Sequence, residues 1–504
     1  MDCRRSRWTV VAAATVPKTG EATEKWEAFL VEQRGIDYIP QHDRALRPLD
    51  LLWMWGGAMS NVLVFVYGSL LIAIGLSFAQ AVAVILIANV SWVLSGLASL
   101  IGPNAGTSAL ASARAPYGIN VNRFNAFVVW VLCIGYEVAD LAIIVLAFIV
   151  LAEKAGIHAT TATKVIIILI AVAIQLPMPL FGHATVMKMM RVLVGLLILG
   201  GVAMAILLAG KMHPSQLHQH GSVAEITVAV ALTVSAGGVG WVANAADFSR
   251  YLPATASKKQ TVWYVAIGGY VAQAFFMLLG AAVATTVPAA SDVVDGVSKA
   301  LPAGFVVPYL ILAIVSLYAV NVLDLYSSGL NLQTIGFKVR RWVTVCVDLT
   351  IATILLFFVT FSSRFNTILS DFLLFALVWA APFAGIYLTD WALRGGYYDP
   401  VSLLRPKGGL YWHNNGIRWP AAIAQVAGMA ASLMWLSAYP VWTGPLTNRT
   451  GGSDWDILFG GGIAALIYLI FAGRSVREEG RQTKAEHERL EQQATAAVSR
   501  VTTQ

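Results

Sequence analysis

Long apolar runs follow one another from about residue 49 to residue 473, with only short polar connections between them. Many reach 18 or more residues with few charges, the length an α-helix needs to cross the hydrocarbon core of a bilayer. About twelve are legible, near 49–74, 77–101, 124–152, 165–182, 190–209, 226–247, 262–287, 304–330, 342–361, 369–393, 418–438 and 456–473. The pattern predicts an all-α polytopic membrane domain over residues 49–473, with a polar tail before it (1–48) and a charged tail after it (474–504).

Two of the runs are interrupted. Gly56-Gly57-Ala58-Met59-Ser60-Asn61 lies inside the first, and Gly237-Gly238-Val239-Gly240-Trp241 inside the sixth. A bilayer offers backbone N–H and C=O groups no water, so unwound backbone at that depth must line protein or a cavity. Matched interruptions in two halves of a polytopic chain point to a transporter's binding site. Spans 1–5 and 6–10 can be laid over each other with the breaks in corresponding positions, which predicts a five-plus-five inverted repeat. The competing reading of each glycine pair is close helix packing through small residues.

Composition agrees with a membrane protein: 58% hydrophobic, 12% charged, mean hydropathy +0.69. The net charge of +7 is read as orientation rather than as affinity for nucleic acid. With the N-terminus inside, inner loops hold fourteen Lys and Arg residues and outer loops six, so both termini are expected on the cytoplasmic side of the cell membrane. Cys3, Cys133 and Cys346 are too scattered for a disulfide framework. Arg4-Arg5-Ser6-Arg7 with the apolar run Trp8–Val16 is too short for a signal peptide, and residues 1–48 read as a cytoplasmic tail. His213, His218 and His220 are spaced too loosely for a metal site and read as loop residues. No P-loop, HExxH, GxSxG or CxxC pattern occurs, which speaks against ATP-driven transport and against an enzyme. No cofactor and no bound metal are expected.

The informative polar residues sit inside spans, where a charge costs about 2.5–3.5 kcal/mol on insertion scales. Glu137 and Asp140 lie in span 3, Asp324 in span 8 and Asp348 in span 9. Tyr136 and Asp140 are four apart and share a helix face, an aromatic plate with a carboxylate one turn away. That combination suits a planar polar heterocycle, although Tyr136 could equally be a core aromatic and Asp140 a structural hydrogen bond. Trp241, beside Gly240 at the second break, offers an opposite wall. Asn321 and Asp324, three apart in span 8, present an amide and a carboxylate that could read donors and acceptors of a ring. Ser316, Asn321, Ser327 and Ser328 could act as interhelical hydrogen-bond glue instead. Ser60 and Asn61 in the first break join the substrate-binding candidates. Asp140, Asp324, Glu137 and Ser316 are the candidates for cation coupling. Asp247 and Arg250 form either an inner gate or a local surface pair.

These residues resemble the nucleobase:cation symporter-1 family, in its purine–cytosine permease branch. The resemblance begins at Val31-Glu32-Gln33-Arg34-Gly35-Ile36-Asp37-Tyr38-Ile39-Pro40 with Arg44, and continues through Pro48–Trp55 into the first break. It includes Arg114-Ala115-Pro116-Tyr117-Gly118, Gly135-Tyr136 with Asp140, Gly240-Trp241, Asp247–Pro253, and Asn321 to Asp324-Leu325-Tyr326-Ser327, covering roughly residues 27–475. It implies twelve helices in the leucine-transporter-type inverted repeat and a base held between spans 1, 3, 6 and 8. It implies that Tyr136 and Trp241 sandwich the ring, that Asp140 lies one turn beyond, and that the ring-binding position of span 8 falls at Asp324. Tyr136 stands where some branches carry Trp. Sodium-coupled members carry adjacent hydroxyl residues before the span-8 position, where this chain has Tyr318-Ala319, which favours protons over sodium. A buried acid is itself a plausible proton carrier. The expectation is a secondary active symporter, functional as a monomer in the lipid bilayer, that imports cytosine, a purine or a related heterocycle with H+. An amino-acid or other small-solute carrier of the same fold, a polytopic enzyme and a channel are the alternatives.

Overall fold

The computed structural model describes residues 34–177, 182–213, 218–285, 287, 294–337, 341–361 and 365–502. The first part of the N-terminal tail, the Val31-Glu32-Gln33 start of the resemblance, and Lys338, Arg340 and Arg364 of the charge count lie outside the described residues.

The spans, in chain order, are α1 (Pro48–Met59) with α2 (Val62–Ala73), and α3 (Phe78–Ala88) with α4 (Trp92–Ala98). Then come α5 (Ile119–Lys154), α6 (Thr161–Gln175) and α7 (Gly182–Leu208). The second half holds α8 (Val223–Ala236) with the short α9 (Ala245–Ser249), α10 (Lys258–Ala284), α11 (Ala303–Ile335), α12 (Arg341–Thr360) and α13 (Phe365–Arg394). α14 (Trp419–Trp435) and α15 (Asp456–Thr502) close the chain. Eight described helices are long and apolar enough to cross a membrane alone, and the bent pair α1–α2 makes a ninth. α6, α8 and α14 are shorter and fill the fourth, sixth and eleventh predicted positions. α6 stops at Gln175, earlier than the run near 165–182 suggests: Leu176 still has helical dihedrals, and Pro177, without a backbone N–H, cannot extend the hydrogen-bond ladder.

The packing has the symmetry of two repeats. α7 lies against α1 in the first half, and α13 against α8 in the second. α10 packs along α1 and α2, while α3 packs on α8; α5 and α11, the third member of each half, pack along each other. One apolar core runs through all of these contacts.

The two breaks differ from their sequence appearance. Gly56 and Gly57 do not unwind: both are helical, within α1. A Cβ on Gly57 would stand 3.1 Å from the Met190 carbonyl of α7, and one on Gly56 3.4 Å from Val194. These glycines serve close helix packing. The interruption falls later, at Ser60-Asn61, where α1 and α2 bend by 59°. Asn61 makes it possible: its Oδ1 accepts from the Val64 amide at 2.9 Å as an N-cap, and its Nδ2 donates to the Ala58 carbonyl at 2.7 Å. In the sixth span the glycines themselves are the break. α8 ends at Ala236, and residues 237–244 are turns. A Cβ on Gly237 would stand 2.0 Å from the Gln273 amide oxygen, one on Gly238 2.2 Å from Ser91 backbone, and one on Gly240 2.1 Å from the Ser235 carbonyl.

The last span runs on as one helix through Thr502, with no backbone break at residue 474. Its extension is docked by charge. Glu479 meets Arg394 at 2.8 Å and Arg418 through both carboxylate oxygens at 3.0 and 3.1 Å. Arg394 also donates to Asp390 at 2.7 Å, which accepts from Tyr468 on α15 at 2.7 Å. Both arginines donate to the Ala115 carbonyl at 3.3 Å.

Candidate functional site

Tyr136 of α5, Gly240 and Trp241 of the second break, Asn244, Asp324 of α11 and Trp379 of α13 line one cavity. Four segments from both halves therefore converge beside unwound backbone. The cavity leaves a water centre about 20 Å³ to occupy, room for about one water. A planar ring enters only when the walls part.

Each wall is fixed from behind. The Tyr136 ring stands edge-on to Phe372 of α13, with centroids 4.9 Å apart, and its hydroxyl donates to the Ser235 carbonyl at 3.3 Å. Trp241 stands edge-on to Trp55 of α1 at 5.1 Å. Trp55 in turn meets Trp92 at 5.2 Å and Phe248 at 5.6 Å. The Trp92 indole donates to Gln273 at 2.6 Å, and Gln273 donates to the Thr233 carbonyl of α8 at 3.1 Å. Trp379 donates its indole N–H to Asn125 of α5 at 3.0 Å.

The polar candidates separate into groups. Asp324 lines the cavity. Asp140 and Glu137 are buried near it, close enough for all three carboxyl groups to interact electrostatically. Asp140 Oδ1 and Glu137 Oε1 have no hydrogen-bond partner, and no Lys or Arg pairs with any of the three among the described residues. Asn321 is fully buried with both amide atoms unpartnered, one turn before Asp324 on α11. Such a set is costly unless a ligand, a proton or a cation completes it.

Ser60, Asn61 and Ser316 line a different, apolar cavity with Leu197, Phe276 and Tyr309. Their polar atoms are already used within their own helices. The Ser60 hydroxyl donates to Gly56 at 2.7 Å and that of Ser316 to Ala313 at 2.8 Å. The structure thus places these three apart from Tyr136 and Trp241.

Asp247 and Arg250 are both fully buried, which removes the surface-pair reading. Asp247 accepts from the Ala109 amide at 2.8 Å. Arg250 donates to the Gly35 carbonyl at 2.5 Å and to the Tyr326 hydroxyl at 2.6 Å. They tie the end of the sixth span to the segment after span 2, to the N-terminal segment and to α11. Asp348 is likewise occupied, accepting from Trp130 and Ser328 at 2.7 Å each.

Sequence reasoning passed over Trp55, Trp379, Asn244 and Tyr67. Trp55 was visible in Trp53-Met54-Trp55 but carried no sign of which indole turns inward: Trp55 is buried and Trp53 is 38% exposed. Tyr67 of α2 is buried within electrostatic reach of Tyr136, Asp140 and Asp324. Nothing in its apolar run singles it out.

The family of permeases for cytosine/purines, uracil, thiamine and allantoin matches residues 38–453. The chain is 26% identical over 466 residues to "Putative purine-cytosine permease YxlA" of Bacillus subtilis (strain 168), covering 90% of this chain and 99% of that one. It is 22% identical over 475 residues to the purine-cytosine permease fcyB of Emericella nidulans, covering 90% of each. Among solved structures it superposes, with a TM-score of 0.72 and 18% identity, on the nucleobase-cation-symport-1 family transporter Mhp1 in a closed conformation with bromovinylhydantoin bound. That superposition covers 90% of this chain and 97% of Mhp1. It shows the fold: the broken-helix transporter architecture expected from the two interrupted spans.

Proposed function

The chain belongs to the family of permeases for cytosine/purines, uracil, thiamine and allantoin, and from that premise we propose that it imports a nucleobase or a closely related planar heterocycle by cation symport. The observation that carries this reading is the placement of Tyr136 and Trp241 on one cavity with Asp324 between the two halves. Two aromatic faces suit a flat ring, and base–aromatic stacking is worth about 1–3 kcal/mol per base. The Asp324 carboxyl accepts ring N–H donors at the edge, with Asn321 and Asp140 buried nearby outside the cavity lining.

The co-transported cation is the proton. Glu137, Asp140 and Asp324 supply buried carboxyl groups without a basic partner among the described residues. Asp140 is the preferred carrier, because Asp324 is committed to the ring. Sodium finds less support: Ala319 has no hydroxyl, and the Tyr318 hydroxyl is spent on the Ala171 carbonyl of α6 at 2.8 Å. We assign the protein to the cell membrane, with both termini cytoplasmic.

The test is uptake of labelled cytosine, adenine, hypoxanthine, uracil, allantoin and hydantoin into proteoliposomes under imposed proton or sodium gradients. Saturable uptake of at least one, driven by an inward proton gradient, is expected. Uptake of none would refute the substrate assignment. Uptake driven by sodium alone would refute the cation assignment.

A further inference from the structure

A groove of about 770 Å³ opens between α4, α13 and α15, away from the transport cavity. Its walls are apolar: Leu94 and Leu97 of α4, Leu388 and Leu393 of α13, and Leu469 of α15. Its rim is basic. Arg477, Arg481 and Lys484 occur at spacings of four and three along α15, so they share one helix face over the groove.

Arg477 and Arg481 are exposed and make no ion pair among the described residues. Lys484 sits 5.8 Å from the Tyr397 ring centroid and 3.7 Å from Glu488. No Asp or Glu lines the groove among the described residues. Of the neighbouring acids on α15, Glu479 is turned away into Arg394 and Arg418, and Glu478 accepts from Gln482 at 3.0 Å. α15 passes without a break from an apolar span into this basic face, so leucine walls and cationic rim stand where acyl chains give way to headgroups.

We propose that this groove binds an anionic phospholipid. Its phosphate lies among Arg477, Arg481 and Lys484, and an acyl chain lies along the leucines. Charge complementarity selects the occupant. Arg477 and Arg481 offer positive charge that no ion pair neutralises among the described residues, and at a membrane surface each basic residue attracts anionic lipid. A zwitterionic lipid brings no net charge to match it. Because Arg394 and Gly480 also border the groove, the bound lipid braces the extension of α15 against α13.

The experiment is native mass spectrometry of the full detergent-purified chain titrated with phosphatidylglycerol or phosphatidylcholine. A doubly substituted Arg477→Gln/Arg481→Gln protein is run in parallel. Both side chains are exposed, so the variant folds, as its melting curve without lipid will verify. The expected result is preferential retention of phosphatidylglycerol, weakened roughly thirtyfold in the double variant. Thermal stabilisation by that lipid should fall in parallel. Equal retention of the two lipids by the unsubstituted protein overturns the proposal, as does unchanged phosphatidylglycerol retention in the variant. Displacement of the lipid by inorganic phosphate at equal concentration also overturns it, because the leucine walls would then contribute nothing.

Discussion

The hydroxyl of Tyr136 donates to the carbonyl of Ser235 at 3.3 Å, joining the third span to the last turn of α8, just before the backbone unwinds. Carbonyls in the last turn of a helix lack intrahelical partners. Here one of them is met by the residue that also forms a wall of the proposed site. Ser235 is held on its other side as well, its own hydroxyl donating to the Leu373 carbonyl of α13. In this closed arrangement Ser235 therefore joins the broken helix to both the aromatic wall and the tenth span.

This geometry separates two roles of Tyr136. Tyr136→Phe keeps the ring and loses the hydrogen bond, worth about 0.5–1.5 kcal/mol. Apparent affinity should fall no more than about tenfold. Tyr136→Ala and Trp241→Ala each remove a stacking face worth about 1–3 kcal/mol, so affinity should fall about five- to 150-fold while the protein still folds. Equilibrium binding of the best labelled base checks all three. Unchanged affinity in Trp241→Ala would refute the sandwich.

The two glycine pairs predict opposite sensitivities. Gly57→Ala requires only that Met190 yield a few tenths of an ångström, and Gly56→Ala meets ordinary contact at 3.4 Å. Both variants should express and transport at close to the normal rate. Gly238→Ala would drive a Cβ to 2.2 Å from Ser91 backbone, which cannot retreat cheaply in a close-packed interior. That variant should lose most folded protein in fluorescence-detected size-exclusion chromatography. Equal behaviour of Gly57→Ala and Gly238→Ala would contradict the placement of the breaks.

The contrast also shows what a sequence carries. Twelve spans and two halves were legible because apolar length and segment order are written along the chain. The second break was legible because only glycine tolerates that backbone crowding. The first break was placed over Gly56–Asn61, and the unwinding falls at the far end of that stretch, at Ser60-Asn61. Gly56-Gly57 looks like a helix breaker, yet the unwinding is made by the side chain of Asn61, which substitutes for two lost helix bonds. Tyr136, Trp241 and Asp324 could be named individually. That they share a cavity while Ser60, Asn61 and Ser316 line another depends on helix rotation, and a run that is apolar on all sides does not encode rotation.

Asp140 should be separable from substrate recognition. Its Oδ1 has no partner, and it stands near Asp324 without lining the cavity. Asp140→Asn preserves shape and removes the titratable oxygen. Exchange of labelled for unlabelled base across proteoliposomes should persist. Accumulation against a gradient should be lost, where one coupled charge at 100 mV supports about fiftyfold. Accumulation at the unsubstituted level would remove Asp140 from the coupling step.

His413 lies partly buried in the loop before α14, facing Arg418 and Arg394, with Glu479 opposing them, and burial followed by Arg418 pushes its pKa down to about 4. An unfolded histidine titrates near 6.5. Between those values the unfolded chain carries a proton that the folded chain does not, so this group makes stability rise with pH across that window and fall on acidification through it. The contribution is fully present above about pH 6.5, is gone below about pH 4, and has an upper limit of about 3 kcal/mol. The apparent unfolding temperature in detergent should therefore drop between pH 7 and pH 5. His413 has φ +45°, a conformation Asn tolerates better than most residues, so His413→Asn is the matching variant. It should show a shallower drop over the same interval. A drop as steep as that of the unsubstituted protein would assign the acid sensitivity to other groups, with Glu479 between Arg394 and Arg418 the next to substitute.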